Sequence, residues 1–151
     1  MTLIYAFFAE LVETSTRMKL TEDEVVTYLI KHLEESGWSI KEYHLGFDRG
    51  PDIEASKGKF HLLIEAKGAR AGDKAHNKKR PWFNANQIKS HFGRALEKAF
   101  SMKYHYPKAI IAIAHPDDPD IRRHIAHLIP FLKPIGIKNY WVTKTKVLRE
   151  N

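Results

Sequence analysis

The 151-residue sequence contains no cysteine, and this absence excludes two classes of protein. Without thiols the chain can form neither a disulfide-stabilised scaffold nor a thiolate zinc site, and a reducing cytoplasm is the expected location. The sequence also lacks an apolar run long enough to cross a membrane, and no basic segment precedes the apolar residues 3–9. We therefore expect a cytoplasmic protein with neither a membrane span nor a secretory signal.

Repeats, low-complexity tracts and linker-like segments are absent too, which favours a single domain over residues 1–151. The sequence does have an excess of positive charge: 25 Lys and Arg against 18 Asp and Glu give a net charge of +7. This excess favours a polyanionic partner, above all nucleic acid, because basic side chains neutralise phosphates and release counterions. A basic protein that is merely soluble is the alternative on charge alone.

Hydrophobic periodicity predicts an α/β protein. The first convincing helix begins after Thr21, where Glu24 completes a capping box, and ends at Ser36-Gly37. Residues 3–13 are typical of a short helix or strand. Further helices are predicted over 85–102 and 120–131, and strands over 38–43, 108–114, 139–143 and 146–148. This order favours a mixed central β-sheet flanked by helices on both faces.

Two more extended segments, residues 50–55 and 60–68, are predicted to form a β-hairpin. Gly58 lies in the short connection between them and can adopt the positive φ that a tight turn requires. The hairpin brings the aspartate of its first strand close to the glutamate and the lysine near the end of its second strand.

These three residues are Asp52, Glu65 and Lys67, and the last two share one face because they are two positions apart. Two carboxylates and a lysine can hold a hard divalent cation beside a phosphate and activate a water molecule. The alternatives are an ordinary turn aspartate and a plain surface ion pair between Glu65 and Lys67.

Pro51-Asp52 followed by Glu65-Ala66-Lys67 resembles the signature of the PD-(D/E)xK nuclease superfamily, which includes type II restriction endonucleases and archaeal Holliday-junction resolvases. The predicted order of elements matches the family core over about residues 21–115. The resemblance implies a restriction-endonuclease-like core and a Mg²⁺-dependent nuclease, above all a DNA endonuclease, with Mn²⁺ as a substitute ion. It implies that Asp52, Glu65 and the main-chain carbonyl of Ala66 bind the metal, while Lys67 orients and helps to deprotonate the attacking water.

The resemblance also implies a further carboxylate on the preceding helix, for which helical geometry favours Glu22. At about 100° per residue, Glu22 falls at the end of the apolar face, whereas Glu24 points away from it. Glu22 would then bind a second ion or support the first, and the alternative is an acid that only stabilises the helix dipole. On the helix over 85–102, Gln87 resembles a glutamine that related nucleases direct into the active site, with a solvated helix edge as the alternative.

Basic residues after Lys67 and on the following helix are candidates for contacts with nucleic acid: Arg70, Lys74, Lys78, Lys79, Arg80, His91 and Arg94. His91, Arg94 and Lys98 belong with Gln87 to one polar stripe at helical spacing. Trp82 and Phe83 are candidates for base or sugar stacking, or for anchoring the loop in the core. The histidines lack a recognised zinc motif.

Two classes of function remain open. One is the nuclease, and the other is a non-catalytic nucleic-acid-binding or complex-assembly module that keeps the nuclease fold. The simultaneous presence of Asp52, Glu65 and Lys67 favours the nuclease. The resemblance further implies a homodimer, for which residues 3–9 are a candidate interface, with burial inside the monomer as the alternative. A subunit of a larger restriction or repair complex is a third interpretation.

Overall fold

The structure, a computed structural model, describes residues 2–43, 50–73 and 81–151, with the backbone but not the side chains of residues 12–18. Within these ranges there are four α-helices: α1 (Thr2–Met18), α2 (Glu22–Glu35), α3 (Ala85–His105) and α4 (Pro119–Ile125). A 3₁₀ helix, Ala126–Leu132, follows α4. The strands are β1 (Ser39–Tyr43), β2 (Ile53–Lys57), β3 (Phe60–Ala66), β4 (Ile110–Pro116), β5 (Ile137–Val142) and β6 (Val147–Glu150).

All six of these strands form one mixed sheet in the order β1-β2-β3-β4-β5-β6. The pairs β1–β2, β2–β3 and β5–β6 are antiparallel, whereas β3, β4 and β5 run parallel to one another. Parallel neighbours need a crossover, and α3 supplies it between β3 and β4, while α4 and the 3₁₀ helix supply it between β4 and β5. The predicted mixed α/β fold is therefore confirmed.

The central strands β3, β4 and β5 are buried on both faces, and their residues alternate between two cores. Ile111 and Ile113 of β4 pack in the core beneath α3 and α4, whereas Ala112 and Ala114 pack in the core beneath α2. A strand covered on both faces has few polar positions, which explains the continuous apolar run in the sequence.

Helix α2 begins where the capping box predicts. The Thr21 hydroxyl accepts a hydrogen bond from the Glu24 amide at 3.2 Å, and Glu24 Oε1 accepts one from the Thr21 amide at 3.1 Å. Val25, Val26, Leu29 and Leu33 form its buried face. This face fixes the rotation of α2 on the sheet and carries Glu22 to the end of β3.

Two predicted segments differ from the structure, the one expected as a short helix or strand and one expected helix. The segment expected over 3–13 is the longer helix α1, and the helix expected over 120–131 ends as an α-helix at Ile125 and continues as a 3₁₀ helix. Pro130 lies inside that 3₁₀ helix. It has no amide hydrogen to donate, and its ring would clash with the carbonyl four residues earlier in an α-helix.

The apolar residues at the start of α1 are exposed, so their burial inside the monomer is not observed. Leu3 is 85% exposed, Tyr5 70% and Phe7 61%. Among the described residues, no helix is both long enough and apolar enough to cross a membrane. Helix α1 therefore presents an apolar surface that the described part of its own chain leaves uncovered.

Candidate active site

The β2–β3 hairpin predicted from the sequence is present. Gly58 in its turn has a φ of +56°, a value that favours glycine, and Ile53 lies opposite Ile64 in the ladder. Residues directly opposite each other in an antiparallel pair share a face. Asp52, just before β2, therefore comes next to Glu65 near the end of β3.

Asp52 is turned inward, with 6% of its surface exposed. Its Oδ2 atom accepts a hydrogen bond from the Ala66 amide at 2.7 Å, which ties the first strand to the Glu-x-Lys segment. Burial and, second in size, the nearby Glu65 carboxylate raise the pKa of Asp52 to about 7. Two buried carboxylates thus lie close enough to repel each other, an arrangement that a bound cation would relieve.

Glu65 is 4% exposed and has a lysine at each carboxylate oxygen. Lys67 Nζ donates a hydrogen bond to Oε1 at 3.0 Å, and Lys98 Nζ of α3 lies 2.9 Å from Oε2. The second contact has the distance of an ion pair without the geometry of a hydrogen bond. These two cations explain how a carboxylate can be buried here without a prohibitive desolvation cost.

Lys67 is an ammonium group in this arrangement. Burial alone would lower the pKa of Lys67, but the Glu65, Glu22 and Asp52 carboxylates together outweigh burial, so the pKa is raised. The side chain is therefore suited to orienting an anion or a water molecule and to stabilising negative charge.

Glu22 reaches the site because α2 begins against the end of β3. A Cβ atom on Gly68 would lie 2.5 Å from the Glu22 amide nitrogen and 2.8 Å from the Thr21 carbonyl carbon, so only glycine fits there without movement. The Ala69 amide donates a hydrogen bond to the Leu20 carbonyl at 2.7 Å and completes the junction. Burial raises the pKa of Glu22, and Lys67 opposes that rise.

A pocket of about 180 Å³ opens beside this junction. Its lining includes Glu22, Lys67, His91 and Arg94. His91 and Arg94, the two residues of α3 predicted to contact nucleic acid, therefore lie next to the candidate site. His91 packs edge-to-face on Phe83, with ring centroids 4.4 Å apart. Burial lowers the pKa of His91, and the neighbouring Lys67 and Arg94 lower it further, so the neutral imidazole is favoured.

Two expected site residues, Gln87 and Arg70, make scaffold contacts in the described part of the chain. Gln87 is exposed and forms a capping box with Asn84, in which each side chain accepts a hydrogen bond from the other residue's amide at 2.9 Å. Arg70 also lines the pocket, but its guanidinium donates to the Lys19 carbonyl, to Glu24 and to Asp73. Both side chains stabilise the scaffold, because helix ends and loop junctions leave polar groups that need partners.

The remaining predicted nucleic-acid contacts, Lys74, Lys78, Lys79 and Arg80, lie outside the described residues. Among the residues that the structure does describe, Lys98 is the functional candidate that the sequence analysis left out of the site. It occupies the predicted polar stripe, one turn beyond Arg94. The polar stripe was the signal in the sequence, but the contact of Lys98 with Glu65 depends on the packing of α3 on the sheet.

A second group that the sequence did not reveal is a buried polar cluster beside Lys67. His115 on β4 is 2% exposed and Asn139 on β5 is 0% exposed. Within the described part of the chain, neither ring nitrogen of His115 nor the amide atoms of Asn139 have a hydrogen-bond partner. Burial lowers the pKa of His115 to about 4, so the imidazole is held neutral.

The donor set suits a hard cation, although it is small. In the described ranges, no three His, Cys, Asp or Glu side chains converge in a geometry that could hold a metal ion. Asp52 and Glu65 offer two carboxylates, and by the resemblance the Ala66 carbonyl would be a third oxygen donor. Mg²⁺ commonly binds through one or two carboxylates and keeps several waters, so these oxygens fit it.

The structure thus defines an α/β protein whose mixed sheet carries an acidic and lysine-bearing site at the end of its central strands. Among solved structures, the chain is similar to an XisH family protein from Nostoc punctiforme PCC 73102, with a TM-score of 0.55 and 13% sequence identity. The similarity covers 85% of this chain and 99% of that chain, and at this identity it defines the fold alone. No protein-family profile and no curated protein matches the sequence.

Proposed function

We propose that the protein is a Mg²⁺-dependent nuclease that hydrolyses phosphodiester bonds, above all as a DNA endonuclease of the PD-(D/E)xK type. One observation carries this proposal: Asp52, Glu65 and Lys67 come together at the end of the central strand β3. The Asp52–Ala66 hydrogen bond and the Glu65–Lys67 ion pair hold them there. The mixed sheet with helices on both faces supports the same assignment.

In this proposal Asp52, Glu65 and the Ala66 carbonyl hold the cation. When bound, Mg²⁺ would supply an acidified water and would offset charge that develops on the phosphate oxygens. Lys67 keeps its ammonium charge beside Glu65, so it orients the nucleophile and stabilises negative charge; this is better supported than proton abstraction. Glu22 is then a supporting carboxylate near Lys67 or a ligand of a second ion.

A nucleic-acid substrate is supported by charge at two scales. The whole chain has a net charge of +7, and His91 and Arg94 line the pocket beside Lys67, where a neighbouring backbone phosphate would lie. Lys74, Lys78, Lys79 and Arg80 extend the same basic region in the sequence. The absence of cysteine supports a cytoplasmic location.

The test is a cleavage panel with Mg²⁺ or Mn²⁺ on plasmid, linear duplex, single-stranded and branched DNA and on RNA. Wild type should cut at least one DNA form, and Asp52→Asn or Lys67→Met should lose about 100-fold or more, as expected for groups that stabilise the transition state. Asp52→Asn retains an acceptor for the Ala66 amide and removes repulsion from Glu65, so it should remain folded in circular dichroism. Cleavage at wild-type rates by either variant would refute the assigned roles.

One observation favours the non-catalytic alternative, a nucleic-acid-binding or complex-assembly module that retains the nuclease fold. Among the described residues no group of three metal-binding side chains is formed, and Lys67 and Lys98 already neutralise Glu65. Fluorescence anisotropy with the same nucleic acids distinguishes the two functions. Binding without cleavage of any form in Mg²⁺ or Mn²⁺ would support the module.

We further propose that the protein is a homodimer that associates through α1, or that α1 joins it to a larger restriction or repair complex. The exposed Leu3, Tyr5 and Phe7 side chains support an interface at this helix. A nuclease that must cut both strands gains a second site from a symmetric partner.

A further inference from the structure

Lys98 occupies a particular place between α3 and the two strands of the candidate site. Its Nζ atom lies 2.9 Å from Glu65 Oε2 and also donates a hydrogen bond to the Gly50 carbonyl, just before Pro51-Asp52. Its side chain is 33% exposed, so it reaches the site from the solvent side. One ammonium group thus holds the glutamate of one strand and the turn that leads to the aspartate of the other.

The contact with Glu65 is the kind that a flexible ammonium can give up. Glu65 Oε1 has a true hydrogen bond from Lys67, but Oε2 has only the close positive charge of Lys98. Burial makes an unpaired oxygen costly, so Oε2 needs some cation in the metal-free protein. A lysine carries a point charge on a long, rotatable stem and can withdraw into solvent at little cost.

We propose that Lys98 is a tethered cation that pairs with the Glu65 carboxylate in the metal-free protein and withdraws from it when a divalent cation binds. This inference rests on the metal site in the proposed function. Two positive charges cannot share Glu65 Oε2 without repulsion, so Lys98 lowers the affinity of the site for the cation. Once released, the ammonium is available to a phosphate oxygen of the substrate. Lys98 is thus a positioning residue that couples cation binding to substrate binding.

Calorimetric titration with Mg²⁺ and with Mn²⁺ tests the proposal on wild type, Lys98→Met, Lys98→Gln and Lys98→Arg. Met and Gln remove the competing charge and should tighten cation binding by roughly tenfold, within the usual range of coupling between two ligands of one site. Arg retains the charge and should bind like wild type. Lys89→Met is the matched control, because it removes the same charge nine residues earlier, on the exposed opposite side of α3.

A thermal melt in EDTA gives a second readout. Lys98→Met and Lys98→Gln should melt below wild type without metal and gain more from added Mg²⁺, because the cation then supplies the charge that Glu65 lacks. The Gln variant has a polar side chain and covers the case in which Met impairs folding.

The outcomes separate this inference from the proposed function. Equal cation affinity in wild type, Lys98→Met and Lys98→Gln would overturn the role of Lys98 and leave the metal site in place. Weaker binding in those variants would also overturn it, because Lys98 would then support the site. If neither wild type nor any variant binds a cation, and Asp52→Asn matches them, the metal site itself is refuted and this inference falls with it.

Discussion

At the scale of single residues, the site combines groups whose burial pushes their charge states in different directions. Asp52 has a raised pKa because it is buried beside Glu65, whereas Lys67 retains its charge because the same Glu65 is its partner. His115 is held neutral by burial, next to Lys67. Perturbed groups of this kind cluster at functional sites, and here they surround one edge of the sheet.

His115 provides a pH test of this environment. Its pKa falls from 6.5 to about 4 in the folded protein. Between pH 4 and pH 6.5 the imidazole is therefore protonated in the unfolded chain and neutral in the folded chain. The stability that His115 contributes is therefore complete above pH 6.5 and is lost as pH falls toward 4. The shift corresponds to a loss on the order of 3 kcal/mol in the free energy of unfolding.

His115→Leu should remove this contribution, which urea unfolding at a series of pH values measures as the difference between variant and wild type. The Asp52 carboxyl, whose pKa is raised to about 7, acts in the opposite direction over the same range but is common to both proteins. Neither ring nitrogen makes a hydrogen bond of normal geometry within the described chain, and only the weak interaction with the Asn139 side chain would be lost, so the substitution should cost little stability at pH 7. The charged or polar neighbours that act on the imidazole, Lys67, His91 and Asn139, remain in the variant. His127→Leu removes an exposed imidazole and is the control; an unchanged slope in His115→Leu would contradict the prediction.

The residues that the sequence revealed are those whose meeting depends on local structure. Asp52, Glu65 and Lys67 come together through one hairpin, whose turn glycine and strand alternation are visible in the sequence. Lys98 and His115 reach the same site through α3 and β4, and their contacts follow from strand order and helix packing. A local pattern carries no information on those, so Lys98 appeared only as part of a polar stripe.

At the scale of elements, the capping box of α2 was predictable because all its contacts lie within four residues. The strand boundaries were predicted to within a few residues, and the continuous apolar run correctly indicated β4 as a strand buried on both faces. The 3₁₀ helix after α4 was missed, although Pro130 was its signal. Gln87 takes part in the capping box of α3, and a capping glutamine and an active-site glutamine look alike in one sequence.

The junction between β3 and α2 gives the prediction at this scale. Gly68→Ala would place a methyl group against the backbone of Thr21 and Glu22, and such overpacking costs typically 1–3 kcal/mol. The shift should also move Glu22 away from Lys67 and reduce cleavage beyond the loss of stability. Urea unfolding and cleavage rates measured well below the melting temperature would show both effects.

Gly93→Ala is the matched control, since its added methyl group meets nothing within 4 Å and its position is exposed within α3. Alanine in a helix interior is favoured over glycine by about 1 kcal/mol, so this variant should be more stable than wild type. Opposite signs for the two substitutions are the expected result. A neutral Gly68→Ala would show that the junction yields easily and does not position Glu22.

At the scale of the whole molecule, the main feature to explain is the exposed apolar surface of α1. The sequence left two alternatives for residues 3–9, and the described residues 2–43, 50–73 and 81–151 do not bury them. Large exposed apolar patches on soluble proteins mark interfaces. The sequence could not decide this, because apolar composition is the same for a helix buried in its own core and for one covered by a second chain.

A homodimer through α1 predicts a strong response to charge in this helix. Phe7 is 61% exposed, and burying a phenylalanine stabilises by about 1.5–3 kcal/mol. A two-fold interface counts each substitution twice, so Phe7→Glu should weaken self-association by roughly 100-fold or more. Phe131→Glu, at a 76% exposed aromatic outside α1, is the control and should leave the association constant unchanged. Sedimentation velocity over a range of concentrations measures both association constants. A wild-type protein that stays monomeric at high concentration would refute the homodimer and leave a different protein as the partner of α1.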